Sequence, residues 1–283
     1  MTNVIHNGRF RLCADNRGAE LGSFCDISGA AEYEYIWQKC SIWNSSSPLL
    51  FPIVGRLRED AYRLGDRSFH LGKHGFARTA EFETEKLCDD EMVFLLRDSA
   101  ETRLCYPFPF ELRVTYRLRQ DGFTMEHCVK STGDTVMYFS IGAHPGFQCE
   151  MGDRIVMDAE ETASAFRLDE NALRGRETYP VFDHTREIAI TPTVFEHDAL
   201  IFDGLSSRGA SLLRANGRNV HVDFGGAPCL GLWAKPGAQY VCIEPWYGID
   251  DRCDADGDFT RKERILSLAP GTEFKFTVTV TVP

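Results

Sequence analysis

The sequence predicts an all-β fold of antiparallel strands arranged as two stacked sheets, with a closed barrel as the alternative. Three observations support this fold class: strand patterns paired across short turns, a C-terminal run that alternates with period two, and few helical patterns. No repeat of fixed period and no linker rich in Pro, Gly or Ser divides the chain. We therefore expect a single β-sandwich domain over residues 1–283.

Three hairpins follow from strand patterns that flank a short turn. Their paired strands are predicted at 81–86 with 92–97, at 112–119 with 123–130, and at 211–214 with 220–224. The last two turns contain Asp121-Gly122 and Asn216-Gly217, dipeptides that accommodate the positive φ angles of tight hairpins.

The remaining elements are a C-terminal strand and one short helix. Glu273–Val282 alternates with period two, which predicts a half-buried strand. The best helical signal is a turn or two over Thr191–His197, with Thr191 as the cap and Pro192 at the first helical position.

Composition and charge narrow the class of partner. Hydrophobic residues make up 43% of the chain and charged residues 26%, which is typical of a globular protein. The net charge of -11 argues against nucleic acid and against an anionic membrane surface, because both attract basic faces. A neutral small molecule is the expected partner, although a local arginine pocket is able to hold a phosphate.

The N-terminus has neither the basic start nor the apolar run of a signal peptide. No apolar stretch approaches the roughly 18 residues of a membrane helix. The ten cysteines include no Cys-x-x-Cys pair, which in such a chain predicts free thiols. We expect a soluble cytoplasmic protein, either a monomer or a homodimer.

Four segments interrupt the strand patterns with glycine or proline beside an ionisable side chain. They are 51–57 (FPIVGRL), 72–78 (GKHGFAR), 141–147 (IGAHPGF) and 242–248 (CIEPWYG). Glycine and proline at strand ends fix or loosen the backbone and let a ligand approach closely. Most of the candidate site residues therefore come from these segments.

Taken together and in this order, the segments resemble the aldose 1-epimerase (galactose mutarotase-like) family, most closely its LacX-type branch. The specific elements are HGFAR at 74–78, GxHPxF at 142–147 and CIEPW at 242–246, and the likeness covers nearly the whole chain. The resemblance implies an antiparallel β-sandwich of the galactose mutarotase-like type (supersandwich), with the sugar site in an open cleft on one sheet.

The resemblance also implies roles for five residues. His144 matches the general acid and Glu244 the general base. Arg56 matches an arginine that contacts sugar hydroxyls, His74 a histidine near the ring oxygen, and Asp198 an aspartate that holds hydroxyls away from the anomeric centre. The implied activity is that of an isomerase, an aldose 1-epimerase that interconverts the α and β anomers of an aldohexose.

These residue types suit that reaction. A base must remove the anomeric hydroxyl proton while an acid protonates the ring oxygen. The unperturbed pKa of histidine near 6.5 suits an acid, and that of glutamate near 4.3 leaves an ionised base. We expect the carboxylate of Glu244 to favour the charged form of His144. No electron, group or hydride is transferred, so no cofactor is expected.

Three further residues, in or beside the matched segments, are candidates for substrate contact. Arg78 either meets a phosphate, as in the hexose-6-phosphate 1-epimerases that HGFAR also resembles, or pairs with an acid such as Glu81. Trp233 and Trp246 either form a platform for the sugar or pack in the core. A non-catalytic sugar-binding or sensing protein on the same fold is the other alternative.

No metal site is predicted. Residues 252–263 have the spacing of an EF-hand loop, but Arg252 occupies the first ligand position and no helical pattern flanks the loop. His70 and His74 have the spacing of a helical zinc pair, but Gly72 and the strand context argue against a helix there.

Overall fold

Nearly all regular structure in the computed structural model, which describes residues 1–283, is antiparallel β. The one α-helix, α1, spans Ala100–Cys105, and turns of 3-10 helix span Arg58–Asp60, Ala77–Thr79 and Phe259–Arg261. The strands in chain order are β1 (Thr2–His6), β2 (Phe10–Asp15), β3 (Leu21–Asp26), β4 (Tyr33–Glu34), β5 (Leu49–Leu50), β6 (Ala61–Leu64), β7 (Arg67–His70), β8 (Glu83–Leu87), β9 (Glu91–Arg97), β10 (Phe110–Arg119), β11 (Gly122–Ser131), β12 (Met137–Phe139), β13 (Ile141–Ala143), β14 (Gly146–Gln148), β15 (Arg154–Leu168), β16 (Arg174–Ala189), β17 (Leu200–Asp203), β18 (Gly209–Leu213), β19 (Val220–Asp223), β20 (Cys229–Trp233), β21 (Tyr240–Tyr247), β22 (Leu266–Leu268) and β23 (Glu273–Thr281).

One sheet of 15 strands dominates the molecule. Its order is β5-β13-β21-β20-β17-β15-β18-β19-β23-β11-β10-β9-β8, and β14 and β16 pair onto β21 and β15. A second sheet contains β1–β4, and two ribbons pair β6 with β7 and β12 with β22. The large sheet ends at β5 and β8, so it is not closed into a barrel.

The core lies between these layers. The ring of Phe24 on β3 packs against Phe123 on β11, with the ring centroids 4.8 Å apart. The hydroxyl of Tyr116 on β10 donates to the carbonyl of Ala19, 2.8 Å away. These contacts belong to a cluster of 65 buried apolar residues that draws on both sheets. The predicted packing of sheet on sheet is confirmed.

The three predicted hairpins and the C-terminal strand are also confirmed. They correspond to β8–β9, β10–β11, β18–β19 and β23. In β10 every second side chain is buried, because one face of the strand lies on the core. The Asp-Gly turn sets the register of β10 and β11 by placing Arg119 opposite Gly122.

The predicted helix at 191–197 is wrong. This segment forms successive turns whose amides reach back only three residues, as from Glu196 to the carbonyl of Thr193 at 3.1 Å. The α-helix instead follows Ser99, whose side chain accepts from the amide of Thr102 while the Thr102 hydroxyl accepts from the amide of Ser99. This reciprocal cap supports a helix of only six residues, which is too short to give a periodic apolar signal.

Two further expectations concern the cysteines and membrane helices. All ten cysteines are free thiols, as predicted. None of the helices has the length and apolar character that crossing a membrane requires.

Candidate active site

Strand β21 presents the side chains of the site on one of its faces. Because side chains alternate along a strand, Tyr240, Cys242, Glu244 and Trp246 share that face. Gly231 of β20 lies directly opposite Glu244. A Cβ atom at Gly231 would lie 2.7 Å from the Trp246 ring, so the glycine gives the indole room to lie across the sheet.

His144 reaches Glu244 because the strands on both sides of it pair with β21. On one side β13 places Gly142 opposite Trp246, and on the other β14 places Gly146 opposite Cys242. The two-residue link between these strands thus crosses the position of Glu244. The imidazole Nε2 of His144 lies 3.2 Å from Oε2 of Glu244.

Both members of this pair are removed from water. His144 is 8% exposed and Glu244 is 1% exposed. Burial raises the pKa of Glu244 well above its usual value, and Asp198 and Asp250 add to the rise while Lys73 opposes it.

Burial lowers the pKa of His144 to about 3, an effect that the nearby cations Arg78 and Lys73 increase. The expectation that Glu244 would hold His144 in its charged form is therefore not met. Placing charge away from water is costly, and the raised pKa of Glu244 means that its carboxylate form is disfavoured as well.

His74 is held in one orientation by the backbone. Its amide donates to the carbonyl of Gly55 at 2.8 Å, and its Nδ1 accepts from the amide of Gly55 at 3.1 Å. Its φ angle of 67° lies in the left-handed region, which directs the ring back over this contact. Since burial lowers the pKa of His74 well below its usual value, the ring is neutral and its proton is assigned to Nε2.

The pair and His74 line a cavity of about 250 Å³ that is partly open to solvent. The cavity contains seven of the eight predicted site residues, namely His74, Arg78, His144, Asp198, Trp233, Glu244 and Trp246. Asp198 lies at the rim with an exposed side chain and a φ angle of 73°. Asp203, five residues later, points elsewhere and pairs with Arg264 at 2.6 Å.

Arg56 is the predicted residue that does not line this cavity. Its guanidinium binds Asp60 through two nitrogens, each 2.8 Å from a carboxylate oxygen. Only its backbone amide points toward the site, where it donates to Oδ1 of Asp250 at 2.8 Å.

Trp43 was not predicted as a site residue. It packs with His144, Trp233 and Tyr240 to form an aromatic wall. Its ring centroid lies 5.4 Å from that of His144, 5.5 Å from Trp233 and 4.9 Å from Tyr240. Trp43 belongs to an irregular loop before β5, so no periodic pattern marks it.

Two ionisable residues of the cavity were also missed, Lys73 and Asp250. Both lie inside segments that the family resemblance covers, which is the signal that could have identified them. Asp250 is 1% exposed, and burial raises its pKa. Its carboxylate lies against Gly55, where any Cβ atom would be within 2.2 Å of it.

The cations of the cavity have no carboxylate partner. Neither Lys73 nor Arg78 has a carboxylate oxygen within 4.0 Å, and Arg78 does not pair with Glu81. The loop 252–263, by contrast, has its carboxylates engaged. Asp254 binds Arg176 at 2.5 Å and Glu263 binds Arg174 at 2.6 Å.

Comparison with known proteins adds to this geometry. A family model described as aldose 1-epimerase matches residues 1–281. The chain is 31% identical to the chromosomal LacX protein of Lactococcus lactis over 301 aligned positions, which cover 100% of this chain and 99% of the relative.

Solved structures agree with these sequence matches. A galactose mutarotase related enzyme from Lactobacillus acidophilus superposes with a TM-score of 0.93 at 34% identity, covering 100% of this chain and 97% of the other. A galactose 1-epimerase from Lactobacillus acidophilus NCFM shares the fold, with a TM-score of 0.68 at 16% identity and coverage of 100% and 98%.

Proposed function

Since the chain belongs to the aldose 1-epimerase family, we propose that it is an isomerase that interconverts the α and β anomers of an aldohexose. Its fold is the galactose mutarotase-like β-sandwich, and we assign the activity to one domain over residues 1–283. The observation that carries the proposal is the buried contact of His144 with Glu244 in a cavity of about 250 Å³.

The reaction needs one base and one acid. Glu244 removes the proton of the anomeric hydroxyl, so that C1 becomes a carbonyl and its bond to the ring oxygen breaks. His144 gives its proton to that oxygen. Rotation about the C1–C2 bond presents the other face of the carbonyl, and closure returns both protons. General acid–base catalysis of this kind contributes about 10²–10⁴-fold for each group.

The shifted pKa values suit these roles. A raised pKa makes Glu244 a stronger base than a free carboxylate, and a lowered pKa makes His144 a stronger acid than free imidazolium. The reactive arrangement is an ionised Glu244 beside a protonated His144. A proton that moves from Glu244 to His144 within their contact produces this arrangement with no change in net charge.

Neighbouring groups position the sugar around the pair. His74 offers its Nε2 proton to a ring or hydroxyl oxygen, and Asp198 accepts from hydroxyls at the rim. Arg56 acts indirectly in this scheme, because its amide fixes the carboxylate of Asp250. Trp233 and Trp246 lie in the cavity wall, where an indole face is able to pack against sugar C–H groups.

Polarimetry tests the proposal directly. Freshly dissolved α-glucose and α-galactose should reach their equilibrium rotation faster with the protein than in buffer alone. If calorimetry detects sugar binding but the rotation changes at the buffer rate, the protein is a binding or sensing protein. A binding protein needs no acid–base pair, so the buried contact of His144 with Glu244 favours catalysis.

A hexose 6-phosphate is the second candidate substrate. Lys73 and Arg78 both line the cavity without a carboxylate partner, and a phosphate would neutralise this local positive charge. The same assay on α-glucose 6-phosphate distinguishes the substrates. In Arg78→Ala, a selective loss of activity on the phosphorylated sugar supports this candidate, and an equal effect on both sugars rejects it.

A further inference from the structure

A third side chain lies beside the proposed acid–base pair. Cys242 is on β21 two residues before Glu244, so both side chains lie on the same face of the strand. The ligand atoms of His144, Cys242 and Glu244 all lie within 4.8 Å of one another, and all three residues are buried. The proposed sugar reaction uses no thiol.

We propose that these three side chains bind a thiophilic divalent cation of the zinc class. Zinc takes imidazole, thiolate and carboxylate ligands in a tetrahedron whose N···O edge is about 3.3 Å. His144 Nε2 and Glu244 Oε2 are already 3.2 Å apart. The sulfur of Cys242 lies within 4.8 Å of both of these atoms, so a side-chain adjustment brings it to coordination distance. His144 and Glu244 both line the cavity, from which water or a solute supplies the fourth ligand.

The polar atoms of the site support a ligand between them. Oε2 of Glu244, the atom that faces His144, accepts no hydrogen bond although its side chain is 2% exposed. A buried carboxylate oxygen without a partner costs free energy, which a coordinated cation recovers. Among the neighbouring charges, Asp250 favours a cation and Lys73 opposes one.

Binding exchanges protons for the metal. The thiol of Cys242 and the carboxyl group of Glu244 must each lose a proton, and both protons are released to solvent. The metal then occupies the acid and the base at once. Where the protein acts as proposed above, zinc is expected to be an inhibitor that competes with the sugar.

Cobalt(II) is the spectroscopic probe for this site, in reduced protein free of chelators. We expect a thiolate-to-cobalt band in the near ultraviolet and tetrahedral bands in the visible, both removed by added zinc. Cys242→Ser should abolish the near-ultraviolet band. The matched control is Cys149→Ser, since Cys149 is a buried thiol outside the triad. His144→Asn should weaken cobalt binding about tenfold or more.

Other outcomes overturn the proposal. Equal near-ultraviolet bands in Cys242→Ser and the wild type would assign the metal to another cysteine, and no bands in the wild type at millimolar cobalt would exclude the site. If Cys242→Ser fails to fold by circular dichroism, Cys242→Ala and His144→Asn provide the same test. Because the spectra need no turnover, bands in a protein without mutarotase activity would reject only the proposed reaction.

Discussion

The imidazole of His144 and the carboxylate of Glu244 lie 3.2 Å apart because two short strands, β13 and β14, both pair with the strand that carries Glu244. The contact depends on the register of three strands and on no flexible loop. Groups held in this way keep their geometry when the substrate leaves, which is the condition for efficient proton transfer.

Replacing the base tests its role. We expect Glu244→Gln to lower kcat/KM for α-galactose by roughly 10² or more, because an amide has no basic oxygen of comparable strength. Polarimetry at several sugar concentrations separates kcat from KM. The control is Glu273→Gln, at an exposed strand end where Glu273 pairs with Lys275. A rate near that of the wild type would remove Glu244 from the mechanism.

Replacing the acid should have a similar effect. His144→Asn is expected to reduce kcat/KM by roughly 10² or more, since asparagine donates a hydrogen bond but transfers no proton. The double variant with Glu244→Gln should lose little beyond either single change, because groups that act as a unit are not additive. If the fold-losses in kcat/KM of the two single variants multiply in the double variant, the two residues have independent roles. His184→Asn, at an exposed position, is the control.

The buried ion pair of Lys262 with Asp251 should contribute strongly to stability. Its atoms are 2.7 Å apart, and the side chains are 3% and 7% exposed. Lys262→Met leaves the carboxylate buried without its cation, so we expect a loss of about 3–5 kcal/mol in the free energy of unfolding. Lys275→Met breaks an exposed pair with Glu273 and should cost less than about 1 kcal/mol. Urea denaturation measures both values, and equal losses would contradict the prediction.

His127 should make the protein sensitive to acid. It is 1% exposed, stacks on Phe276 and has a pKa lowered to about 3 by burial. The unfolded chain, in which the pKa is about 6.5, therefore binds the proton more readily, and stability falls as pH decreases from about 6.5 toward 3. The contribution is at most about 1.4 kcal/mol per pH unit.

His127→Leu removes this group and should flatten the pH dependence. We expect the free energy of unfolding, measured by urea denaturation at pH 7 and pH 5, to fall less in the variant than in the wild type. His184→Leu, at an exposed histidine, should behave as the wild type does. Equal losses in His127→Leu and the wild type between these pH values would show that His127 does not titrate as proposed.

The hairpins could be predicted from the sequence because their signals are local. A glycine that tolerates positive φ and an alternating pattern on each side define β10 and β11 without knowledge of the rest of the chain. The segment 191–197 has helix-starting residues as well, yet it forms three-residue turns and no helix. Local propensity is a weak guide where packing decides.

The site residues could be predicted from the sequence only where they belong to a sequence motif. His144 and Glu244 lie in short specific motifs, whereas Trp43 reaches them from a loop whose path depends on distant strands. Arg56 belongs to a motif but does not line the cavity. The motif gives no sign that its guanidinium is paired with Asp60. The depressed pKa of His144 could not be foreseen either, because the extent of burial is a property of the folded chain.

The aromatic wall gives this protein an intrinsic optical signal. The chain has four tryptophans. Trp43, Trp233 and Trp246 line the cavity, and Trp37 contacts Tyr240, whose ring stacks on Trp43. All four indoles therefore lie in the cavity wall or one ring away from it. We therefore expect occupancy of the cleft to change the native fluorescence, with no label and no coupled assay.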